Sequence, residues 1–161
     1  MTMSDAPFET TGAMIDVLVA GAGYVGLTTA VAIKQAAPHL AVSIVDAAPE
    51  GVWERDGRAS AVAAAAVRML EQLQVWPQIR DEAQPITEMI VTDSKAADAV
   101  RPVFLTFGGE AQPGEAFAHM MPNVAVNGAL RQRAADLGIT IRQGIAVSGI
   151  AEAIGHVDVR L

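Results

Sequence analysis

The chain contains no cysteine, no basic stretch and no long apolar run. Without thiols it has no disulfides, no thiolate nucleophile and no cysteine-based zinc or iron–sulfur centre, and this composition fits a reducing compartment. Its 11 Lys and Arg are outnumbered by 18 Asp and Glu, which gives a net charge of -7. Because no cluster of Lys and Arg could follow a phosphate backbone, no nucleic acid partner is expected.

The missing apolar runs exclude a membrane-spanning helix. The longest runs, residues 15–22 and 59–67, are far shorter than the about 18 residues that such a helix needs, so no transmembrane segment is expected. Residues 1–13 are polar and lack the basic start of a secretory signal. These features predict a cytoplasmic protein and leave peripheral contact with a membrane open. We expect residues 1–14 to form a flexible N-terminus.

Short apolar runs alternate with helical segments along the chain, as is typical of an α/β domain. The hydrophobic content of 52 % is enough for a core. Residues 15–20 predict a buried parallel strand, residues 24–37 a helix that ends before a proline, and residues 40–46 a second strand. These three elements form a β-α-β unit, whose crossover is expected to be right-handed.

The rest of the chain up to residue 142 predicts two further helices and three further strands. In chain order, these are a helix over 59–74, strands over 86–93 and 103–107 around a polar segment at 94–101, a helix over 123–137 and a parallel strand over 139–142, with loops at 49–57 and 108–115. Residues 157–161 alternate as a half-buried strand does. Because domains seldom stop in mid-strand, we expect the chain to be truncated.

A G-x-G-x-x-G motif lies between the first strand and the first helix, and Asp46 follows about 20 positions later at the end of the second strand. In this context Gly21 allows a tight turn, Gly23 lets backbone N–H groups approach a pyrophosphate, and Gly26 lets the helix pack close to the sheet. The helix N-terminus adds partial positive charge. The simpler interpretation is that these glycines only interrupt the chain between strand and helix.

Asp46 indicates which dinucleotide the motif would bind, because its carboxylate would accept hydrogen bonds from the hydroxyls of an adenosine ribose. The next residues are Ala47, Ala48 and Pro49, so a 2′-phosphate would meet a carboxylate with no cation near it. The motif therefore favours FAD or NAD over NADP and does not separate the first two. The predicted cofactor-binding residues of this part are Gly21, Ala22, Gly23, Tyr24, Val25, Gly26, Asp46 and Ala47.

Residues 56–61 and 67–76 carry a second pattern. They resemble the D-x-R-x-x-A-L … L-x-x-L-G-x-W signature of the FAD-dependent aromatic-ring hydroxylases, a superfamily of flavoprotein monooxygenases, and are most similar to the ubiquinone-biosynthesis hydroxylases. Residues 119–130 resemble the x-V-V-x-N-x-x-L-x-x-A-L helix of that group. The resemblance implies a Rossmann-like FAD/NAD(P)-binding domain over 15–161, with a parallel sheet and flanking helices. It also implies that residues 86–118 belong to a β-rich substrate-domain insertion.

The resemblance also implies a function. FAD would bind at the glycine motif and at Asp46, and Arg58 would lie near the flavin and its diphosphate, where a guanidinium suits an anion. The alternative for Arg58 is an exposed arginine in a charged loop. NADPH or NADH would be the reductant, and O₂ would hydroxylate an aromatic small molecule such as a ubiquinone precursor. Because this chemistry belongs to the cofactor, no catalytic side chain is predicted.

Two departures from the family pattern leave other functions open. Residues 126–128 are Val-Asn-Gly where the family has Arg or Gln, so the resemblance gives no basis for a cofactor contact there. The family's later D-G and G-D motifs would lie beyond Leu161, which leaves half of the FAD site missing. One alternative is therefore a nucleotide-binding module without turnover, whose exposed strand edge could pair into a homo-oligomer. Another is an NAD-dependent dehydrogenase. The histidines lack ligand spacing, so no metal site is predicted.

Overall fold

Twelve strands and four helices make up the computed structural model, which describes residues 14–92 and 102–161. The strands are β1 (Val17–Ala20), β2 (Val42–Asp46), β3 (Ala59–Ala63), β4 (Gln84–Ile86), β5 (Glu88–Thr92), β6 (Val103–Gly108), β7 (Glu110–Gln112), β8 (Glu115–Ala116), β9 (Ala118–Pro122), β10 (Thr140–Gln143), β11 (Gly149–Ala153) and β12 (His156–Arg160). The helices are α1 (Tyr24–Ala36), α2 (Ala64–Gln72), α3 (Trp76–Ile79) and α4 (Asn123–Asp136). Short 3-10 turns lie at Val52–Arg55 and Arg80–Glu82.

A parallel sheet of β1, β2 and β10 is the base of the fold, with β2 in the middle. The first four residues of β2 are buried, because this strand has a hydrogen-bonded neighbour on each side and helix α1 against it. The predicted β-α-β unit is confirmed, as are the helix near 123–137 and the parallel strand near 139–142, each with ends shifted by one or two residues. The α/β class is therefore confirmed.

Helices α1 and α4 pack against each other, and α1 also packs on β2. Their apolar side chains join those of the sheet and of α2 in one core. The largest fully buried side chains are Leu27, Val31, Ile44, Val45, Val75, Met121 and Leu130. Full burial of such side chains stabilises the fold by roughly 1.5–3 kcal/mol each. The core therefore holds the end of β2 and the start of α1 in fixed positions.

The predicted helix over 59–74 is wrong in its first third. Residues Ala59–Ala63 form β3, which pairs antiparallel with β9, and helix α2 begins only at Ala64. Within β3, Ser60 and Val62 are half-buried and their neighbours are exposed, which is the period of a strand. Alanine fits a helix by propensity, but the pairing with β9 outweighs that preference. Since β4 pairs with the other side of β9, a second, antiparallel sheet forms.

Residues 84–92 and 102–116 are β-rich and mostly exposed. The predicted strand over 86–93 is divided between β4 and β5, and β5 pairs with β6 as an antiparallel hairpin. The loop predicted at 108–115 contains a second small pair, β7 with β8, so that prediction is wrong in part. The segment 94–101 and residues 1–13 lie outside the described residues. The assignment of 86–118 to a substrate-domain insertion stays a prediction.

The predicted C-terminal strand is present as β12, which pairs antiparallel with β11. Its expected alternation is not: Asp158 and Val159 are half-buried, whereas Val157 is exposed. Among the described residues, β11 and β12 contact chiefly each other, so no one face of the hairpin is consistently covered.

Gln74, two residues after α2, adopts a left-handed backbone conformation with a φ of 62°. It occupies the place of glycine in the L-G-x-W part of the hydroxylase signature. The left-handed region costs a residue with a side chain roughly 1–2 kcal/mol, whereas glycine enters it freely.

We therefore expect Gln74→Gly to stabilise the chain by about 1 kcal/mol. Its control is Gln72→Gly at the end of α2, where loss of a side chain should destabilise by about 0.5–1 kcal/mol. The midpoints of urea unfolding would measure both changes. A lower midpoint for Gln74→Gly would contradict the backbone explanation.

Candidate functional site

The turn between β1 and α1 is held by two close approaches of the backbone. Gly21 has a φ of 106°, a value that favours glycine, and its N–H donates to the carbonyl of Val45 at 2.7 Å. A Cβ on Gly26 would overlap the carbonyl oxygen of Gly21 and lie 3.3 Å from Cγ1 of Val19. Only glycine at position 26 therefore lets α1 begin this close to β1.

The start of α1 is open. Gly23 is the residue before the first turn, and a Cβ built on it would meet nothing within 4 Å. Within the described residues, no side chain caps this helix. The N–H groups of its first turn are therefore left for an external acceptor, and the helix end carries partial positive charge.

Asp46, at the end of β2, connects the glycine turn to the loop that follows its own strand. Its Oδ2 accepts the N–H of Ala22 at 2.6 Å, and its Oδ1 accepts the N–H of Ala48 at 2.7 Å. Each carboxylate oxygen has lone pairs for more than one donor, so ribose hydroxyls could still bind here. The side chain is half-buried.

A cavity of about 530 Å³ opens beside the glycine turn and the end of β2. Five of the predicted site residues line it, namely Ala22, Gly23, Tyr24, Asp46 and Arg58. The other four do not: Gly21 and Gly26 shape the turn, Ala47 is exposed beside it, and Val25, which is 69 % exposed, lines a neighbouring apolar groove. Direct cofactor contact by each of these nine residues stays a prediction.

Arg58 is held at the rim of the cavity by an ion pair. Its Nε and a terminal nitrogen donate to the two oxygens of Asp56 at 2.7 and 2.8 Å. Asn123 donates to Asp56 at 3.1 Å and accepts the hydroxyl of Ser60 at 2.7 Å. These contacts, of which the one with Arg58 has the largest effect, hold the pKa of Asp56 far below its ordinary value. Asp56 in turn raises the pKa of Arg58. The sequence did not predict Asp56 and Asn123 as positioning residues.

Helix α4 adds two residues that sequence reasoning missed. Asn127 and Arg131, one helical turn apart, both line the cavity. Asn127 donates to the carbonyl of Asn123, and its Oδ1 is buried with no partner among the described residues. Arg131 donates to the carbonyl of Ala22, 109 positions earlier in the chain. No local motif marks Arg131, because only the packing of α4 against α1 brings it to the glycine turn.

The position of Arg131 corrects the expectation that no cation lies near Asp46. No cation follows Asp46 in the sequence, but the fold brings Arg131 close enough for the charge of Asp46 to act on its pKa. Burial lowers the pKa of Arg131, and the carboxylates of Asp46 and Glu54 partly oppose that change. A carboxylate and a guanidinium therefore share the cavity.

These features fit the adenosine diphosphate part of a dinucleotide: an uncapped helix start, a carboxylate for ribose hydroxyls, a guanidinium and buried polar atoms without partners. A family model for the FAD binding domain matches residues 14–161. The chain belongs to the FAD binding domain family. This match decides between FAD and NAD, and together with the relative described next it confirms the resemblance to FAD-dependent hydroxylases.

Two kinds of relative support the assignment of an FAD binding domain. The chain is 31 % identical over 121 residues to the ubiquinone hydroxylase UbiL of Rhodospirillum rubrum, a match that covers 73 % of this chain and 26 % of that protein. The chain thus spans about a quarter of the relative's length. Among solved structures, it is similar to the p-nitrophenol 4-monooxygenase PnpA of Pseudomonas putida DLL-E4, with a TM-score of 0.69 and 18 % identity over 89 % of this chain and 35 % of that one.

The flavin-dependent monooxygenase PieE, solved in complex with FAD and substrate, is similar to the same degree. Its TM-score is 0.69 at 17 % identity, covering 91 % of this chain and 26 % of that one. At these identities the two solved structures show the fold alone. In the described part of this FAD binding domain, no helix has the length and apolarity to cross a bilayer.

The overlap at Gly26 gives a direct test of the glycine turn. We expect Gly26→Ala to destabilise the domain by about 1–3 kcal/mol, because the methyl group forces α1 away from β1. The control is Gly128→Ala in α4, whose Cβ would lie 3.5 Å from the Trp53 ring, an ordinary contact. That variant should be neutral or stabilised by up to about 1 kcal/mol. Thermal unfolding would measure both, and equal changes would contradict the role of Gly26.

The lowered pKa of Asp56 predicts that the stability of the folded chain depends on pH in the acidic range. Its ion pair stabilises the folded chain above the ordinary carboxyl pKa of 3.8, and this contribution declines as pH falls toward the lower folded value. Asp56→Asn removes the charge. The difference in melting temperature between the parent and Asp56→Asn should be constant between about pH 5 and 8 and should shrink below about pH 4. A difference that grows in acid would show that Asp56 is not stabilised as a carboxylate.

Proposed function

We propose that this chain is the N-terminal, FAD-binding part of an FAD-dependent monooxygenase that hydroxylates an aromatic small molecule. The observation that carries the proposal is the cavity beside the glycine turn, where an uncapped helix start, Asp46 and Arg131 meet. It lies in a chain that belongs to the FAD binding domain family.

The binding roles follow from the geometry of the cavity. The diphosphate of FAD would lie at the first turn of α1, where Gly23 leaves the backbone N–H groups accessible. The ribose hydroxyls would donate to Asp46, whose two oxygens are already oriented by Ala22 and Ala48. Arg58, fixed by Asp56, would approach the cofactor from the rim. Its orientation is set before the ligand arrives, which lowers the entropy cost of binding.

The reaction itself would depend on the bound flavin, which supplies the redox chemistry between NADH or NADPH, O₂ and the aromatic ring. The residues of this chain would bind and orient the cofactor and would not exchange protons with the substrate. A ubiquinone precursor is the proposed substrate, on the basis of the 31 % identity to a ubiquinone hydroxylase.

The proposal predicts retention of FAD. After incubation with excess FAD and desalting, the chain should keep flavin absorption bands that are shifted from those of free FAD.

Asp46→Ala should weaken FAD binding by at least about tenfold, because it removes the acceptor for the ribose and loosens the glycine turn. The matched control is Asp16→Ala, which removes a similar hydrogen bond, donated by the N–H of Ala41 to the carboxylate of Asp16, at the opposite end of the β1–β2 pair. That variant should retain FAD.

Two further measurements would distinguish the hydroxylase function from that of a nucleotide-binding module without turnover. A chain that binds ADP but does not retain FAD would be a nucleotide-binding module. A polypeptide that carries this domain and has the length of the curated relative should consume NADH or NADPH when a phenolic substrate is added. If it binds FAD and consumes neither reductant with any phenol, the hydroxylase function is wrong and the FAD site remains.

A further inference from the structure

Arg131 is a cation of the dinucleotide cavity that forms no salt bridge with a carboxylate of the described residues, although the charges of Asp46 and Glu54 act on it from farther away. Its two terminal nitrogens donate to uncharged oxygens, at 3.2 Å to the carbonyl of Ala22 and at 3.4 Å to the side chain of Gln143. Its Nε is buried and has no acceptor in the described part of the chain. Arg58, Arg68 and Arg80 each form an ion pair, but no carboxylate of residues 14–92 and 102–161 is paired with Arg131.

Burying the guanidinium of Arg131 in this way costs free energy unless an anion binds to it. The side chain is half-buried, and burial is the main influence on its pKa, which lies below the ordinary value. A guanidinium keeps its charge in proteins, so loss of water around it must be offset by hydrogen bonds to an anion. The two neutral acceptors supply only part of that compensation.

The guanidinium is also held in place before any ligand binds. Its Cζ lies 5.0 Å from the centroid of the Trp53 ring, within the range of a cation–π interaction. The Trp53 ring itself lies beside Gly128 of α4, at a distance where a Cβ on that residue would be in ordinary contact with the ring. Arg131 is thereby fixed between the turn at Val52–Arg55, the glycine turn and the end of β10.

We propose that Arg131 binds the diphosphate of FAD, together with the uncapped first turn of α1. This inference rests on the proposed function, since it takes the adenine dinucleotide as the ligand of the cavity. Arg58, to which the family resemblance assigns that place, is 81 % exposed on its side chain and already makes a bidentate ion pair with Asp56. Its charge is therefore largely compensated within the chain, whereas that of Arg131 is compensated less, because no carboxylate forms a salt bridge with it.

The test compares ligands with and without a diphosphate. Calorimetric titration with ADP and with adenosine would be made on the parent chain, Arg131→Met, Arg131→Lys and Arg133→Met. The last is a matched control, because Arg133 also lies on α4 but donates to the carbonyl of Leu73 and to Gln35, outside the cavity. We expect Arg131→Met to weaken ADP binding about 10- to 100-fold and adenosine binding less than about threefold.

Arg131→Lys should give an intermediate affinity for ADP, because it keeps the charge and loses the planar fork of donors. Arg133→Met should bind ADP like the parent. Equal ADP affinity for Arg131→Met and the parent would overturn the inference. So would an equal loss of ADP and adenosine binding, since Arg131 would then only hold the glycine turn. If the parent binds adenosine, ADP and FAD to no measurable extent, the proposed function fails together with the inference.

Discussion

The carboxylate of Asp46 is the interaction on which the site depends. It accepts one N–H from the glycine turn and one from the loop after β2, and so joins the ends of two neighbouring parallel strands. Hydrogen bonds to a charged acceptor contribute roughly 1.5–3 kcal/mol, more than typical bonds between neutral groups. The same carboxylate is positioned for ribose hydroxyls, so the group that stabilises the turn is also the one proposed to bind the ligand.

Around that carboxylate, the domain arranges its charges in two different ways. Arg58 is paired within the chain, through a network that also contains Asp56, Asn123 and Ser60. Arg131 is held by neutral groups and an aromatic ring. A paired cation is oriented but nearly neutral toward an incoming anion, whereas a cation without a salt bridge keeps more of its attraction. Under the proposed function, the two arginines would therefore meet different parts of a cofactor that has both an anionic diphosphate and an uncharged ring system.

The second sheet connects this site to the β-rich part of the chain. Strand β9 pairs with β3 on one side and β4 on the other, and α4 follows it directly. The backbone N–H of Asn123 donates to the carbonyl of Arg58 at 2.9 Å, which ties the start of α4 to the segment before β3. The loop that carries Arg58 and the helix that carries Arg131 are thus positioned by one set of strand pairings.

Local patterns in the sequence determined the β-α-β unit, the glycine turn and Asp46. In each case neighbouring residues decide the conformation: β-branched residues before a turn, glycines where a side chain would collide, and a carboxylate at a strand end. The start of α2 was missed because the alanines of β3 have no strong strand preference and follow their pairing with β9. Arg131 and Asn127 could not be assigned either. Their place in the site comes from the packing of α4 against α1, a contact between residues about 100 positions apart that only the tertiary structure decides.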